Sequence, residues 1–259
     1  MKVVILAGGL GTRISEETKS IPKPMVKIGD KPIIWHIMKL YSHYGFNDFI
    51  ICLGYKGYVI KEYFANYFLH TSDVTINMKD NSIKIHNSNS EPWKVTLVET
   101  GLHTMTGARV KKIQKYTDNK PFMLTYGDGV ANINIKKLME AHQKNNSIVT
   151  LTSIEVESRF GKLNITKNGK VKKFIEKPKF TNEWINGGYL VCEPELFAYI
   201  NDSDDEILEK KPLEKLANSN NLSAYKHRGF WKSMDTLRDN LELNQLWDTG
   251  KAPWKIWTN

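Results

Sequence analysis

Near its start the chain runs Lys2-Val3-Val4-Ile5-Leu6-Ala7 into Gly8-Gly9-Leu10-Gly11-Thr12-Arg13, and this order constrains the fold more than any other feature. A short unbroken apolar run reads as a strand buried on both faces, and glycines directly after it read as a tight loop. The alternation recurs. Pro32–Tyr44 carries Ile33, Ile34, Ile37, Met38, Tyr41 and Tyr44 at helical spacing before Gly45. Phe49–Leu53 is again a buried strand, and Tyr58–Leu69 an amphipathic helix. Pro121–Tyr126 is a strand ending at Gly127-Asp128-Gly129, ahead of a helix over Ile135–Gln143. Such alternation with glycine-containing joints predicts an α/β fold with a doubly wound, mainly parallel, Rossmann-like sheet. Ligands bind such sheets outside the carboxyl ends of the strands, where Gly8–Arg13 and Gly127–Gly129 would lie.

Two segments break the pattern. Asp73–His86 reads as a hairpin turning at Lys79-Asp80-Asn81-Ser82, with Val74, Ile76 and Met78 opposite Ile83 and Ile85. β-rich stretches follow at Ile148–Ile154, Phe160–Ile165, Val171–Ile175 and Tyr189–Cys192, with a turn at Lys167–Lys170. Helices return at Pro194–Tyr199, Pro212–Ser219 and Thr236–Trp247. No linker rich in Pro, Gly or Ser interrupts the 259 residues, and no repeat is visible. The expectation is one domain with β-hairpin insertions and C-terminal helices.

Composition narrows the function classes. The hydrophobic content of 41% and the charged content of 25% are ordinary globular values. No apolar run approaches the ~20 residues of a membrane span, and Met1-Lys2 leads straight into a strand rather than a secretory leader. Cys52 and Cys192 lie inside apolar runs, which predicts core thiols and a cytoplasmic protein rather than a disulfide framework. Lys+Arg 37 against Asp+Glu 28 leaves a net charge of +9. That excess suits polyanionic substrates as well as nucleic acid. The basic pairs Lys111-Lys112, Lys136-Lys137 and Lys172-Lys173 are not interleaved with aromatic residues, so a nucleic-acid module is the weaker reading.

The glycine loop fits neither G-x-G-x-x-G, because Ile14 stands where a glycine is needed, nor a Walker loop, because no Gly-Lys-Ser/Thr occurs. Alone it reads as a turn. Arg13 closes it, however, and Pro22-Lys23-Pro24-Met25 follows, with Lys23 mounted between two prolines that restrict the backbone. The N–H groups of Gly8, Gly9, Leu10, Gly11 and Thr12, with the cations Arg13 and Lys23, make a cradle for a triphosphate. Asp128, on a glycine-flanked turn, reads as a cap of the following helix or as a ligand-side acid. Asp235, ahead of the last helix, reads first as its N-cap. His36, among Ile and Met, reads as a core or capping residue; His70, His86 and His227 lack metal-ligand spacing. Trp231, Trp247, Trp254 and Trp257 read as packing or subunit contacts.

Gly8–Arg13 with Pro22–Met25 resembles the signature of the sugar-1-phosphate nucleotidyltransferases. The likeness runs nearly the full length, through Pro32–Met38, Gly54–Tyr58, Asn66–Leu69, Glu91–Trp93, Met105–Gly107 and Phe230–Thr236. It implies that CTP and glucose 1-phosphate are joined into CDP-glucose with release of pyrophosphate, with Mg²⁺ as cofactor, in polysaccharide (O-antigen) biosynthesis. A uridylyl- or thymidylyltransferase on the same fold is the alternative. The resemblance assigns Leu6, Ala7 and the loop to the nucleotide, together with Lys23, Thr104, Arg109 and Gly127. Catalysis falls to Arg13 and Lys23, and the metal to Asp128 and Asp235. Phe160-Gly161 matches the family's loop over the sugar, Glu176-Lys177-Pro178 its E-K-P motif, and Asn186-Gly187-Gly188 its N-G-G strand. This makes Gly161, Glu176, Lys177, Asn186 and Gly187 the sugar-phosphate residues. Residues 1–130 become mainly the nucleotide half and 131–259 mainly the sugar-phosphate half and C-terminal region. A homo-oligomer, a hexamer, is also implied. The stretch Val98–Arg109 resembles the cytidylyl form of the nucleotide loop, with Ala108 where the family pattern has a second glycine and Leu102-His103 where Asp-Ser is usual. The chemistry agrees: the attacking sugar-phosphate oxygen is already ionised at neutral pH, so no Ser-His-Asp relay or Cys nucleophile is required. The site must position two anions and neutralise transition-state charge.

Overall fold

The structure, a computed structural model, describes residues 1–11, 20–88, 90–155, 161–176 and 183–258. Thr12, Arg13, Phe160 and Lys177 lie outside the described residues. At its centre is a seven-stranded sheet in the order Leu222–His227, Val149–Glu155, Trp184–Cys192, Phe122–Tyr126, Lys2–Leu6, Asp48–Leu53 and Lys94–Glu99. Trp184–Cys192 runs antiparallel to both neighbours, and every other neighbouring pair is parallel. The expected doubly wound, mainly parallel sheet is therefore present.

The unbroken apolar runs have a direct cause. In the central strands alternate residues enter two different cores: Val3, Ile5, Phe49, Ile51 and Met123 on one face, Val4, Leu6, Ile50, Cys52 and Leu124 on the other. A strand covered on both faces has no polar side to alternate with. The first face is covered by the helices Ile33–His43 and Leu237–Asp248 and by Trp254 and Trp257. The second is covered by Thr106–Lys112 through Val110 and by Lys211–Asn218 through Leu213 and Leu216. Cys52 and Cys192 are both fully buried in the second core, and burial raises both thiols above the usual range, as inert core cysteines require.

His36 is a core residue. It is 1% exposed; its Nε2 donates to the Ile28 carbonyl at 3.0 Å and its Nδ1 accepts from the Trp254 indole at 3.4 Å. Trp247, Trp254 and Trp257 pack around its ring. Burial pushes its pKa down to about 4, so the neutral tautomer is the one the core holds.

Elsewhere the structure differs from the expected element list. The helix expected over Tyr58–Leu69 is two, Gly57–Ala65 and Tyr67–Thr71, parted at Asn66 with φ −101° and ψ 10°. Lys94–Glu99 and Leu222–His227, the two edges of the sheet, were not foreseen as strands. An edge strand pairs on one side only and tolerates polar residues, so its run is not uniformly apolar. The hairpin of Ser72–Asn77 and Ser82–Ser88 forms as expected but turns at Met78–Asn81 rather than Lys79–Ser82, so Met78 leaves the strand, Ile76 faces Ile83 and Val74 faces Ile85; Ile76, Ile83 and Ile85 are exposed. Among the described residues no helix is long and apolar enough to cross a membrane.

Candidate active site

The strand order reverses between Lys2–Leu6 and Phe122–Tyr126, where Leu6 pairs with Tyr126. Chain connections leave this point toward opposite ends of the sheet and open a crevice at the strand ends. Ala7-Gly8 leaves one strand and Gly127-Asp128 the other, so both glycine segments singled out in the sequence border the same crevice.

Gly8 is there for closeness. A Cβ on it would lie 2.1 Å from Arg109 Nη1. The Arg109 guanidinium, 4% exposed, donates to the carbonyls of Leu53 at 2.9 Å and Gly8 at 3.0 Å and to Thr100 Oγ1 at 2.6 Å. The structure thus places Arg109 behind the loop, tying it to the Asp48–Leu53 strand. Thr104, 6% exposed, is held in the same way: its hydroxyl accepts from Lys112 Nζ at 3.1 Å and donates to Asp204 Oδ1 at 3.3 Å. Gly9 and Leu10 are exposed, and Gly11 takes φ 64°.

Lys23 opens a 3₁₀ turn, Lys23–Met25, entered from Pro22 and continued by Pro24. The turn packs against Gly127, where an added Cβ would meet the Leu6 carbonyl at 3.0 Å and Pro24 Cγ at 3.2 Å. From this mount Lys23 Nζ donates to Asp128 Oδ2 at 2.7 Å and Asp235 Oδ1 at 2.6 Å. A short antiparallel ladder brings the two acids together: Gly129–Ala131 pairs with Trp231–Ser233, and the Met234 N–H donates to the Asp128 carbonyl at 2.8 Å.

The capping reading of both acids is overturned. The helix Ile135–Asn145 is capped by Asn134, and Leu237–Asp248 by Thr236, which forms a capping box with Asp239. Asp128 and Asp235 are left to face the crevice, with Ser233 Oγ donating to Asp235 Oδ2 at 3.0 Å. Among the described residues no group of three or more His, Cys, Asp and Glu could hold a metal. Asp128 and Asp235 converge on the Lys23 ammonium, and two carboxylates are a donor set that could hold Mg²⁺, which takes one or two of them and completes its shell with water and phosphate.

On the other side of the crevice Asn186 and Gly187 share a cavity with Asp128, Tyr126, Trp231 and Ser233. Asn186 Oδ1 accepts from the Gly188 N–H at 2.9 Å, and the Gly187 carbonyl accepts from the Trp231 indole at 2.7 Å. Trp231 therefore belongs to the site, whereas Trp247, Trp254 and Trp257 form the core cluster around His36. Gly161 and Glu176 flank the exposed hairpin of Lys162–Ile165 and Val171–Ile175, and a Cβ on Gly161 would lie 3.0 Å from Glu176 Oε2. Tyr126 and Ser233 are not singled out by the sequence, and Trp231 reads there only as a packing or subunit contact. Only their adjacency to Gly127-Asp128 and to Asp235 could have signalled them.

The model of the nucleotidyl transferase family matches residues 2–249, and the chain belongs to that family. It is 55% identical over 258 residues to a glucose-1-phosphate cytidylyltransferase of Salmonella typhimurium, covering 99% of this chain and 100% of that one. A probable glucose-1-phosphate cytidylyltransferase of Bacillus subtilis is 43% identical over 257 residues, with 99% and 100% covered. The crystal structure of HddC from Yersinia pseudotuberculosis has the same fold, with a TM-score of 0.69 at 24% identity over 95% of this chain and 99% of that one.

Proposed function

We infer that this chain is a glucose-1-phosphate cytidylyltransferase, moving a cytidylyl group from CTP to glucose 1-phosphate and releasing pyrophosphate and CDP-glucose. The observation that carries the reading is the 55% identity across 99% of the chain to an enzyme of that name. The meeting of Lys23, Asp128 and Asp235 at the switch point supports it.

An ionised oxygen of the sugar phosphate attacks the α-phosphorus of CTP in line with the departing pyrophosphate. The backbone N–H groups from Gly8 onward bind the triphosphate, and the Lys23 ammonium, on its proline-braced turn, meets the charge that builds on the phosphoryl oxygens. Asp128 and Asp235 would hold Mg²⁺, which when bound supplies charge neutralisation and orients phosphate oxygens. Arg13 is proposed as a second catalytic cation and Lys177 as the partner of the sugar phosphate. Asn186, Gly187, Gly161 and Glu176 are proposed to bind the sugar. Residues 1–130 serve mainly the nucleotide and 131–259 mainly the sugar, although Asp235 from the second half completes the Lys23 cluster and the Asp204 and Glu206 carbonyls accept from Met105 and Ala108 beside the nucleotide loop.

A homo-oligomer, proposed as a hexamer, is supported by exposed apolar side chains on the two hairpins, Ile76 and Ile83 on one and Leu163 and Phe174 on the other; light scattering on the purified protein tests it. A role in O-antigen synthesis and residence in the cytoplasm accompany the reading. Pyrophosphate release from a matrix of CTP, UTP, dTTP and GTP against several sugar 1-phosphates tests the reaction. CTP with glucose 1-phosphate should give the highest kcat/KM, and a different best pair overturns the assignment.

A further inference from the structure

Tyr126 closes its strand directly before Gly127-Asp128, yet its side chain leaves the nucleotide side and crosses to the sugar side. Its ring lies beneath Gly188, where a Cβ would come within 2.4 Å of Tyr126 Cδ2. Gly188 also holds φ 78°, in the left-handed region that favours glycine, and its N–H is bonded to Asn186 Oδ1. The Asn186-Gly187-Gly188 turn is therefore folded over the tyrosine ring, and Asn186 Nδ2 points to the phenol oxygen at 3.5 Å.

The phenol in turn donates to Glu209. The other carboxylate oxygen of Glu209 accepts from Thr106 Oγ1 at 2.6 Å, and Thr106 Oγ1 accepts from the Leu208 N–H at 3.0 Å. Thr106 is the first residue of the helix that carries Arg109, the side chain that ties down Gly8.

We propose that Tyr126 and Glu209 are positioning residues, a hydrogen-bonded strut Asn186–Tyr126–Glu209–Thr106 that sets the sugar-side turn at a fixed distance from the nucleotide loop. The proposal deepens the cytidylyl-transfer reading, on which its kinetic consequence rests. In-line attack requires the two substrates to be held in mutual register, and a strut between their binding walls provides that without touching the reacting atoms.

The test compares native protein with Tyr126→Phe, Glu209→Ala, Glu209→Gln and the Tyr126→Phe/Glu209→Ala double variant. Each single removal should raise the KM for glucose 1-phosphate by about five- to tenfold, the size of one lost hydrogen bond. The double variant should be no worse than either single one, because both cut the same strut, and Glu209→Gln should restore part of the loss. A readout without substrate accompanies it: Glu209→Ala, made on the nucleotide side, should speed amide exchange at Gly188 on the sugar side. Unchanged exchange at Gly188, or single effects on KM that multiply in the double variant, overturns the strut. Native protein that does not turn over CTP with glucose 1-phosphate overturns the functional reading instead, and the exchange measurement still decides the strut.

Discussion

Lys23 Nζ lies 2.6 Å from Asp235 Oδ1 although 212 residues separate them in the chain. With Asp128 on its other side, the ammonium sits between two carboxylates at the strand ends, and it is 11% exposed. In this arrangement the two acids balance its charge, and the proline-flanked turn holds it at the strand ends.

Lys23→Ala should lower kcat by about 10²–10³, the usual cost of removing one preorganised donor to transition-state charge. Circular dichroism should show the native fold, since Lys23 contributes no core side chain. A folded variant with near-native kcat removes Lys23 from the mechanism.

Asp128→Asn and Asp235→Asn should each raise the Mg²⁺ concentration needed for half-maximal rate by at least about tenfold, since even second-shell changes alter metal affinity by ~10–100-fold. Thr236→Ala is the contrast. Thr236 carries the capping box, so its loss should cost about 1 kcal/mol of stability and leave the metal titration in place. The reverse pattern, with the aspartate variants losing only thermal stability, returns them to a structural role.

Gly8→Ala places a methyl 2.1 Å from the Arg109 guanidinium, inside van der Waals contact. Either the loop or the arginine must shift, which should cost about 1–3 kcal/mol in urea unfolding and raise the KM for CTP. An unchanged KM for CTP contradicts the claim that this contact sets the loop.

CTP should be preferred to UTP by more than about tenfold in kcat/KM, because a site with an acceptor for the cytosine N4 amine leaves that acceptor unpaired against O4. Ala108, where the family pattern carries a second glycine, is 3% exposed within Thr106–Lys112, and its N–H donates to the Glu206 carbonyl at 3.1 Å. Ala108→Gly should therefore lose about 1 kcal/mol of helix stability and keep the base preference. Equal use of the two triphosphates by the native protein sinks the cytidylyl assignment while leaving nucleotidyl transfer standing.

His36 gives stability a pH dependence of known sign. Its pKa in the fold, about 4, lies below the 6.5 of the unfolded chain, so the unfolded state binds more protons between those values. Stability is complete above about pH 6.5 and falls as the pH drops toward 4, by about 3 kcal/mol in all. Urea melts of native protein and His36→Gln across that window should diverge by this amount, and parallel curves refute it.

Local physical chemistry was enough for the sheet and its ligand end. Lys2–Leu6 and Phe49–Leu53 are apolar at successive positions because both faces are covered, and the glycines after Leu6 and Tyr126 mark the ends where the backbone must turn sharply. Lys23 was legible because two prolines fix its mount within three residues. Edge strands were not, since Lys94–Glu99 and Leu222–His227 carry the mixed character that one open side permits.

What only the tertiary structure decided is which distant residues meet. Asp128 and Asp235 were each compatible with a helix cap until the ladder between Gly129–Ala131 and Trp231–Ser233 brought them to one lysine and Asn134 and Thr236 took the caps. Trp231 looked like its C-terminal neighbours until its indole was found on the Gly187 carbonyl. Arg109 and Thr104 carried a nucleotide assignment, and in the fold Arg109 holds the Gly8 carbonyl while Thr104 lies between Lys112 and Asp204. Local pattern records how a segment is buried, because burial acts on every residue as the chain folds. Convergence of single side chains from separate segments leaves no periodic trace, because it depends on strand order and crossovers that no one segment encodes.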